Sequence, residues 1–210
     1  AVGLVPDLAW AFEPDVLRFT YDPDRARRLL DEAGYRDPDG DGPRSRLKLS
    51  LKISTNEETR LQATAIQHDL GSIGIELDVR SYEFATFYSD VVKSDFQLFA
   101  LQWVGGAMID PDMLRRVFHS REVPPEGFNR GHYRNEQVDR LLDLATTSLD
   151  ESTRKRYYSD AQKLIAAEAP YIPIWSKTNV IVAQKGLAGL HLNPVGDFNA
   201  LRDVKRVSTP

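Results

Sequence analysis

The sequence predicts an α/β fold, a mixed and mainly β-α-β sheet flanked by helices. Three observations carry this. Strand-period and helix-period apolar patterns alternate along residues 47–103. Within them, the eight residues 96–103 are apolar except for Gln97 and Gln102, as expected of a strand covered on both faces in the middle of such a sheet. The composition, 41% hydrophobic and 28% charged with a mean hydropathy of −0.41, is that of a globular chain, and its 210 residues suffice for a sizeable core.

Each element has its own signal. Residues 1–20 are irregular, with Pro and Trp among them, and read as a segment that packs on something. Asp22-Pro23 starts a helix, because Asp caps and Pro is preorganised for the first turn. Ala26, Leu29, Leu30 and Ala33 then share one face, and Gly34 ends the helix. Leu47, Leu49, Leu51 and Ile53 alternate with polar residues, the pattern of a half-buried strand. A helix over 57–73 turns Leu61, Ala65, Ile66, Leu70 and Ile73 inward. Ile75, Leu77 and Val79 form a second strand, a short helix follows over 83–92, and 96–103 is the third strand. This order implies right-handed crossovers and at least partly parallel pairing. The third strand runs into Gly105-Gly106, where backbone can turn or approach a ligand closely, and Asp110-Pro111 restarts a helix. Val138, Leu141, Leu142, Ala145 and Leu149 make a helical stripe. Asp150 caps a further helix carrying Tyr157, Tyr158, Ala161, Leu164 and Ile165, stopped by Pro170. Tyr171–Trp175 and Asn179–Ala183 read as two short strands, and the tail from Gly186 as loop with brief extended pieces.

Several kinds of chemistry are excluded. Without cysteine there is no disulfide, thiolate metal site or Cys nucleophile. A net charge of −4 without a basic stripe gives no nucleic-acid surface, and no apolar run reaches the roughly 18 residues of a membrane helix. Asp37, Asp39 and Asp41 alternate like a calcium loop, but its twelfth position, a bidentate Glu in such loops, is Lys48. The stretch therefore reads as an acidic turn, and no metal or other cofactor is expected. His68, His119, His132 and His191 are scattered, as surface or structural histidines are. Phosphate-cradling and nucleophile-elbow motifs do not occur. Asp110 and Asp112, two apart on a helix, point away from each other, so their expected work is capping, and no enzyme is predicted. The aromatics say more. Trp103, at the carboxyl end of a strand where α/β sheets bind ligands, together with Phe128 and Tyr133, suits stacking on a sugar or packing against a peptide side chain.

The ordered motifs YDPDRARRLLDEAGY, W-x(6)-DPD, FHS, GFN, Y-x-N-x-x-V-D-x-L-L, D-x-x-x-R, Q-x-x-I and PYIPIW resemble the C-terminal lobe of the solute-binding proteins of peptide/nickel-type (family 5) ABC importers, from about Tyr21 to Val207. The resemblance implies a type II periplasmic-binding-protein-like lobe and no catalysis. It implies a periplasmic or extracytoplasmic location, membrane-associated in Gram-positive-type cells, and a peptide or related small solute held in a cleft for delivery to the membrane permease subunits. An oligosaccharide or other uncharged solute, or a non-transport binding or signalling module of the same fold, is the alternative. The partner lobe would be the N-terminal one. Segment 1–20 would pack toward it, 21–185 would form the solute-binding lobe, and 186–210 would return toward its mate. The chain is accordingly read as an excised or processed piece, with exposed apolar surface expected around 1–20 and 186–207. The implied ligand-binding residues are Trp103, Gly105, Gly106, Asp110, Asn129, Arg130 and Tyr133. Peptide-binding members carry an acid for the peptide's ammonium three residues after the strand-end Trp, and here that position is Gly106. Asp110 would have to substitute, or Gly106 opens room for an uncharged solute over Trp103. Arg130 either meets a ligand carboxylate or sits in solvent, and Asn129 and Tyr133 either line the cleft or tie down their own loop.

Overall fold

The structure, a computed structural model, describes residues 1–40, 42–103, 110–192 and 198–207. The chain divides into two compact units, Phe19–Gln102 and the combination of Ala1–Arg18 with Trp103–Pro210.

The first unit is a parallel sheet with helices. Helix α1 (Pro23–Glu32) begins where Asp22 accepts the Arg25 N–H at 2.8 Å and Pro23 takes the first helical position. Past its end, Gly34 adopts the positive φ that glycine tolerates best. Strand β1 (Leu47–Ser54), α2 (Glu57–Gly71), β2 (Ile75–Tyr82), α3 (Phe84–Val92) and β3 (Leu98–Phe99) follow. The sheet order is β2-β1-β3, both pairings parallel, with Leu47 opposite Ile75 and Leu51 opposite Leu98.

Two expectations need correcting here. The stretch 96–103 is not the sheet's middle: β3 is two residues long, pairs only with β1 among the described residues, and leaves Leu98 exposed. Strand β1 is central instead, and its second half is buried at consecutive residues Leu51, Lys52 and Ile53 rather than alternately. A run of apolar residues reports hydrophobicity, not the number of neighbouring strands. On α2 the inward residues are Ala63, Ile66 and Leu70, packed on Leu51, Ile53 and Leu77. Leu61 and Ala65 lie on the outer side.

Lys52 explains how a charge sits mid-sheet. Its Nζ lies 2.8 Å from Asp90 and 3.0 Å from Asp95, and 5.7 Å from the centre of the Tyr82 ring. The pair of carboxylates compensates a cation that burial would otherwise drive neutral. The hydrogen bond to Asp90, then that to Asp95, pushes the lysine pKa up from its ordinary value. A raised lysine pKa adds stability that is complete below the unfolded-state value, near 10.4, and disappears as pH climbs through the folded-state one. Lys52→Met should therefore lose most stability at neutral pH and little in strong alkali, as read by urea unfolding at pH 8 and above pH 11.

The second unit is mainly helical, with α4 (Met113–Phe118), α5 (Glu136–Thr147), α6 (Glu151–Glu168), a 3-10 turn (Phe198–Asp203), and an antiparallel pair β4 (Leu187–Ala188) and β5 (Lys205–Arg206). Asn135 caps α5 and Asp150 caps α6 through their side chains. Val138, Leu142 and Ala145 of α5 meet Tyr158, Ala161 and Ile165 of α6, while Leu149, beyond the end of α5, is fully exposed. The amino-terminal segment is a strap on α6. Val5, Ala9 and Ala11 are buried, Gln162 donates to the Ala11 carbonyl at 2.9 Å, Trp10 meets Tyr158 edge-on, and Ser159 hydrogen-bonds Glu13. After Ala169, which takes a left-handed conformation, residues 171–183 form no strand, against the expectation of two. Their β-branched residues satisfy strand propensity, but strands also need a pairing partner, and Ile172, Val180 and Val182 are exposed. Exposed apolar residues do occur around both predicted stretches, among them Leu8, Leu17 and Phe19, and Phe198, Leu201 and Val207.

Candidate functional site

Four residues after β3 ends, Trp103 enters the second unit half-buried, and a cluster of rings and guanidinium groups forms around it. The Phe128 ring meets it edge-on at 5.5 Å, and the Arg130 guanidinium lies over it at 4.7 Å. Arg130 also lies 5.5 Å from the Phe128 ring centre, and Arg116 of α4 lies 4.5 Å from it. Behind them Phe118 takes Tyr133 and Tyr171 edge-on, at 6.1 and 5.5 Å. Edge-on pairs are each worth roughly 0.5–1.5 kcal/mol, and a desolvated cation over a ring about 2 kcal/mol. The expectation of Arg130 in solvent is not met: it is 3% exposed, since a flat, weakly hydrated guanidinium stacks on rings where an ammonium would not.

The loop between α4 and α5 holds this cluster through Asn129. Its side chain is fully buried, accepts the Tyr133 N–H at 2.9 Å, and donates to the carbonyls of Tyr133 (2.8 Å) and His119 (3.1 Å). It therefore ties its own loop together. The Tyr133 hydroxyl donates to Glu168 at 2.6 Å, and Asn135 donates to the other oxygen of that carboxylate, also at 2.6 Å. Burial, then the Glu168 carboxylate, pushes the Tyr133 pKa up, so the phenol stays protonated. Asp110 is exposed, and its carboxylate accepts the Asp112 N–H at 3.0 Å. It caps a turn ahead of α4, whose own N-cap is Asp112. Gly105 and Gly106 lie outside the described residues.

His119 is fully buried, although nothing in its local sequence marks it out. Its Nδ1 accepts the Arg121 N–H at 3.1 Å, which leaves the ring proton on Nε2, 3.3 Å from the Asp143 carboxylate but not aligned for a hydrogen bond. Ser120 next to it donates to Asp139, not to the imidazole, so no nucleophile is activated there. No group of acids and histidines able to hold a metal occurs among the described residues. Trp103, Asn129, Arg130 and Tyr133 are thus brought into one cluster, which Asp110 is not seen to join. Arg116, Tyr171 and Glu168 were not foreseen. A helical Arg, a Tyr after Pro and a Glu at a helix end carry no local mark of meeting in space.

Residues 1–124 match the model for bacterial extracellular solute-binding proteins, family 5. The chain belongs to this family. Family 5 relatives include the glutathione-binding protein GsiB of Salmonella choleraesuis, 31% identical over 95% of this chain, and the oligopeptide-binding protein AppA of Bacillus subtilis, 26% identical over 94%. The chain spans 38% of the length of each. The fold is that of the solved HbpA2 of Haemophilus parasuis, with a TM-score of 0.83 and 24% identity over 99% of this chain and 40% of that one.

Replacing Asn129 with Ala leaves one buried N–H and two buried carbonyls without their partner, at roughly 1–3 kcal/mol per unsatisfied group. Asn129→Ala is therefore expected to lower stability by about 2 kcal/mol or more in urea unfolding, whereas Asp110→Ala, at an exposed carboxylate, should change it far less.

Proposed function

We propose that this chain is part of the extracytoplasmic solute-binding component of an ABC importer, that it is non-catalytic, and that it contributes one side of a cleft for a peptide or related small solute. The rest of the longer protein supplies the other side, and the membrane permease subunits receive the solute. Membrane association in Gram-positive-type cells is part of the same proposal. One observation supports it most. A half-buried tryptophan follows a strand's carboxyl end, backed by a ring-and-guanidinium cluster and a loop pinned by a buried amide. Family 5 membership, and relatives named for binding glutathione and oligopeptides, favour a peptide-like solute. Trp103, Asn129, Arg130 and Tyr133 are its residues on this side, with Gly105, Gly106 and Asp110 as neighbours in sequence. A packed and inaccessible Trp103 would favour the non-transport module, and it is half-exposed. The exposed apolar residues of 1–20 and 186–207 suit a surface covered by the N-terminal lobe.

The full-length protein carrying this chain should gain melting temperature with peptide. At a hundredfold excess over Kd the gain corresponds to about 2.7 kcal/mol. Trp103→Ala should abolish most of that gain. A mutant with an undiminished ligand-induced shift would move the site elsewhere.

A further inference from the structure

We infer that the solute presents a carboxylate at the Phe128–Trp103 platform and that Arg116 receives it. The inference rests on the solute-binding reading above and names the chemistry of that same site.

Two guanidinium groups share one aromatic ring. Arg116 lies 4.5 Å and Arg130 5.5 Å from the Phe128 centre, and Arg130 also covers Trp103 at 4.7 Å. Their separation is on the scale of the Debye length, about 8 Å at physiological salt, so their charges act together. Arginine does not lose its proton in proteins, so the positive field here is permanent.

The two differ in access. Arg130 is buried and acts through its field, while Arg116 is exposed. Among the described residues Arg116 makes no ion pair, and its one hydrogen bond is a long one, 3.4 Å to the Glu126 carbonyl. Its neighbour Arg115 is the contrast, committed to Glu122 at 2.5 Å and to Asp143 at 3.6 Å. A guanidinium lying on a ring by its face keeps its in-plane N–H fork available, and that fork matches the two oxygens of a carboxylate.

The neighbouring acids are already engaged. Glu168 accepts from Tyr133 and Asn135, and Asp110 accepts a backbone N–H. An ammonium brought to this ring would meet two like charges, while a carboxylate would relieve their repulsion.

The test uses the full-length protein and a tryptic digest of casein in three forms: unmodified, N-acetylated to block amines, and methyl-esterified to block carboxylates. Affinity is read from the concentration dependence of the melting temperature. The unmodified and acetylated pools should bind within about twofold of each other, and the esterified pool about tenfold or more weaker, the scale of one lost charge-assisted contact. Arg116→Gln, at an exposed residue, should leave the ligand-free melting temperature unchanged and abolish the difference between esterified and unmodified pools. Arg116→Lys should restore part of it. An esterified pool that binds as well as the others, or an acetylated pool that alone fails, overturns the inference and leaves solute binding intact. If no pool stabilises the protein, the solute-binding reading itself falls.

Discussion

A single buried amide organises the functional end of this chain. Asn129 has donors and an acceptor at the tip of a short side chain, and it uses them on backbone groups of two loop positions, His119 and Tyr133. Regular secondary structure would satisfy those groups by repetition. In a buried loop something else must, or each group carries a desolvation cost larger than the net gain from a typical hydrogen bond. With the backbone so fixed, Arg130 follows in a position where its guanidinium can only lie against Trp103 and Phe128. Tyr133 is aimed at Glu168 from the other side. The ring-and-cation cluster is therefore a product of backbone satisfaction.

What the sequence reveals follows the range of each interaction. Helix starts are legible because a cap is local: Asp22 and Asp150 each reach an N–H three residues on. The β-α-β succession is legible because period-two and period-3.6 patterns alternate. Which strand is central is not, since that depends on pairing across the sheet. Lys52 sits at what reads as a solvent-facing position, and it is buried because Asp90 and Asp95, far along the chain, come to meet it. At the candidate site, Trp103 and Tyr133 are visible as aromatics in suggestive places. The second guanidinium on Phe128 is not, because one exposed helical arginine looks like another until the fold shows which is paired.

The two units also differ in what holds them. The parallel sheet is short at its β3 edge and is reinforced by an ionic link from β1 to Asp90, in α3, and Asp95, just beyond it. The helical unit is held by close packing of α5 on α6 and by a strap whose contacts with α6 are mostly ring edges and single hydrogen bonds. Cations over rings recur in the second unit, at Trp10 and Tyr157 as well as at the platform.

Residues 179–183, Asn-Val-Ile-Val-Ala, carry a consequence for handling the chain. They are β-branched, uncharged and free of proline, they lie in no strand, and Val180 and Val182 are among the most exposed apolar side chains. That is the composition of segments that stack into cross-β fibrils when left uncovered. Lys177 and Lys185 flank the run, placed as charged gatekeepers are around unavoidable hydrophobic segments. Repulsion between like-charged flanks weakens with ionic strength. Solutions of this chain would thus be clearest at low salt, and the first aggregates would nucleate here.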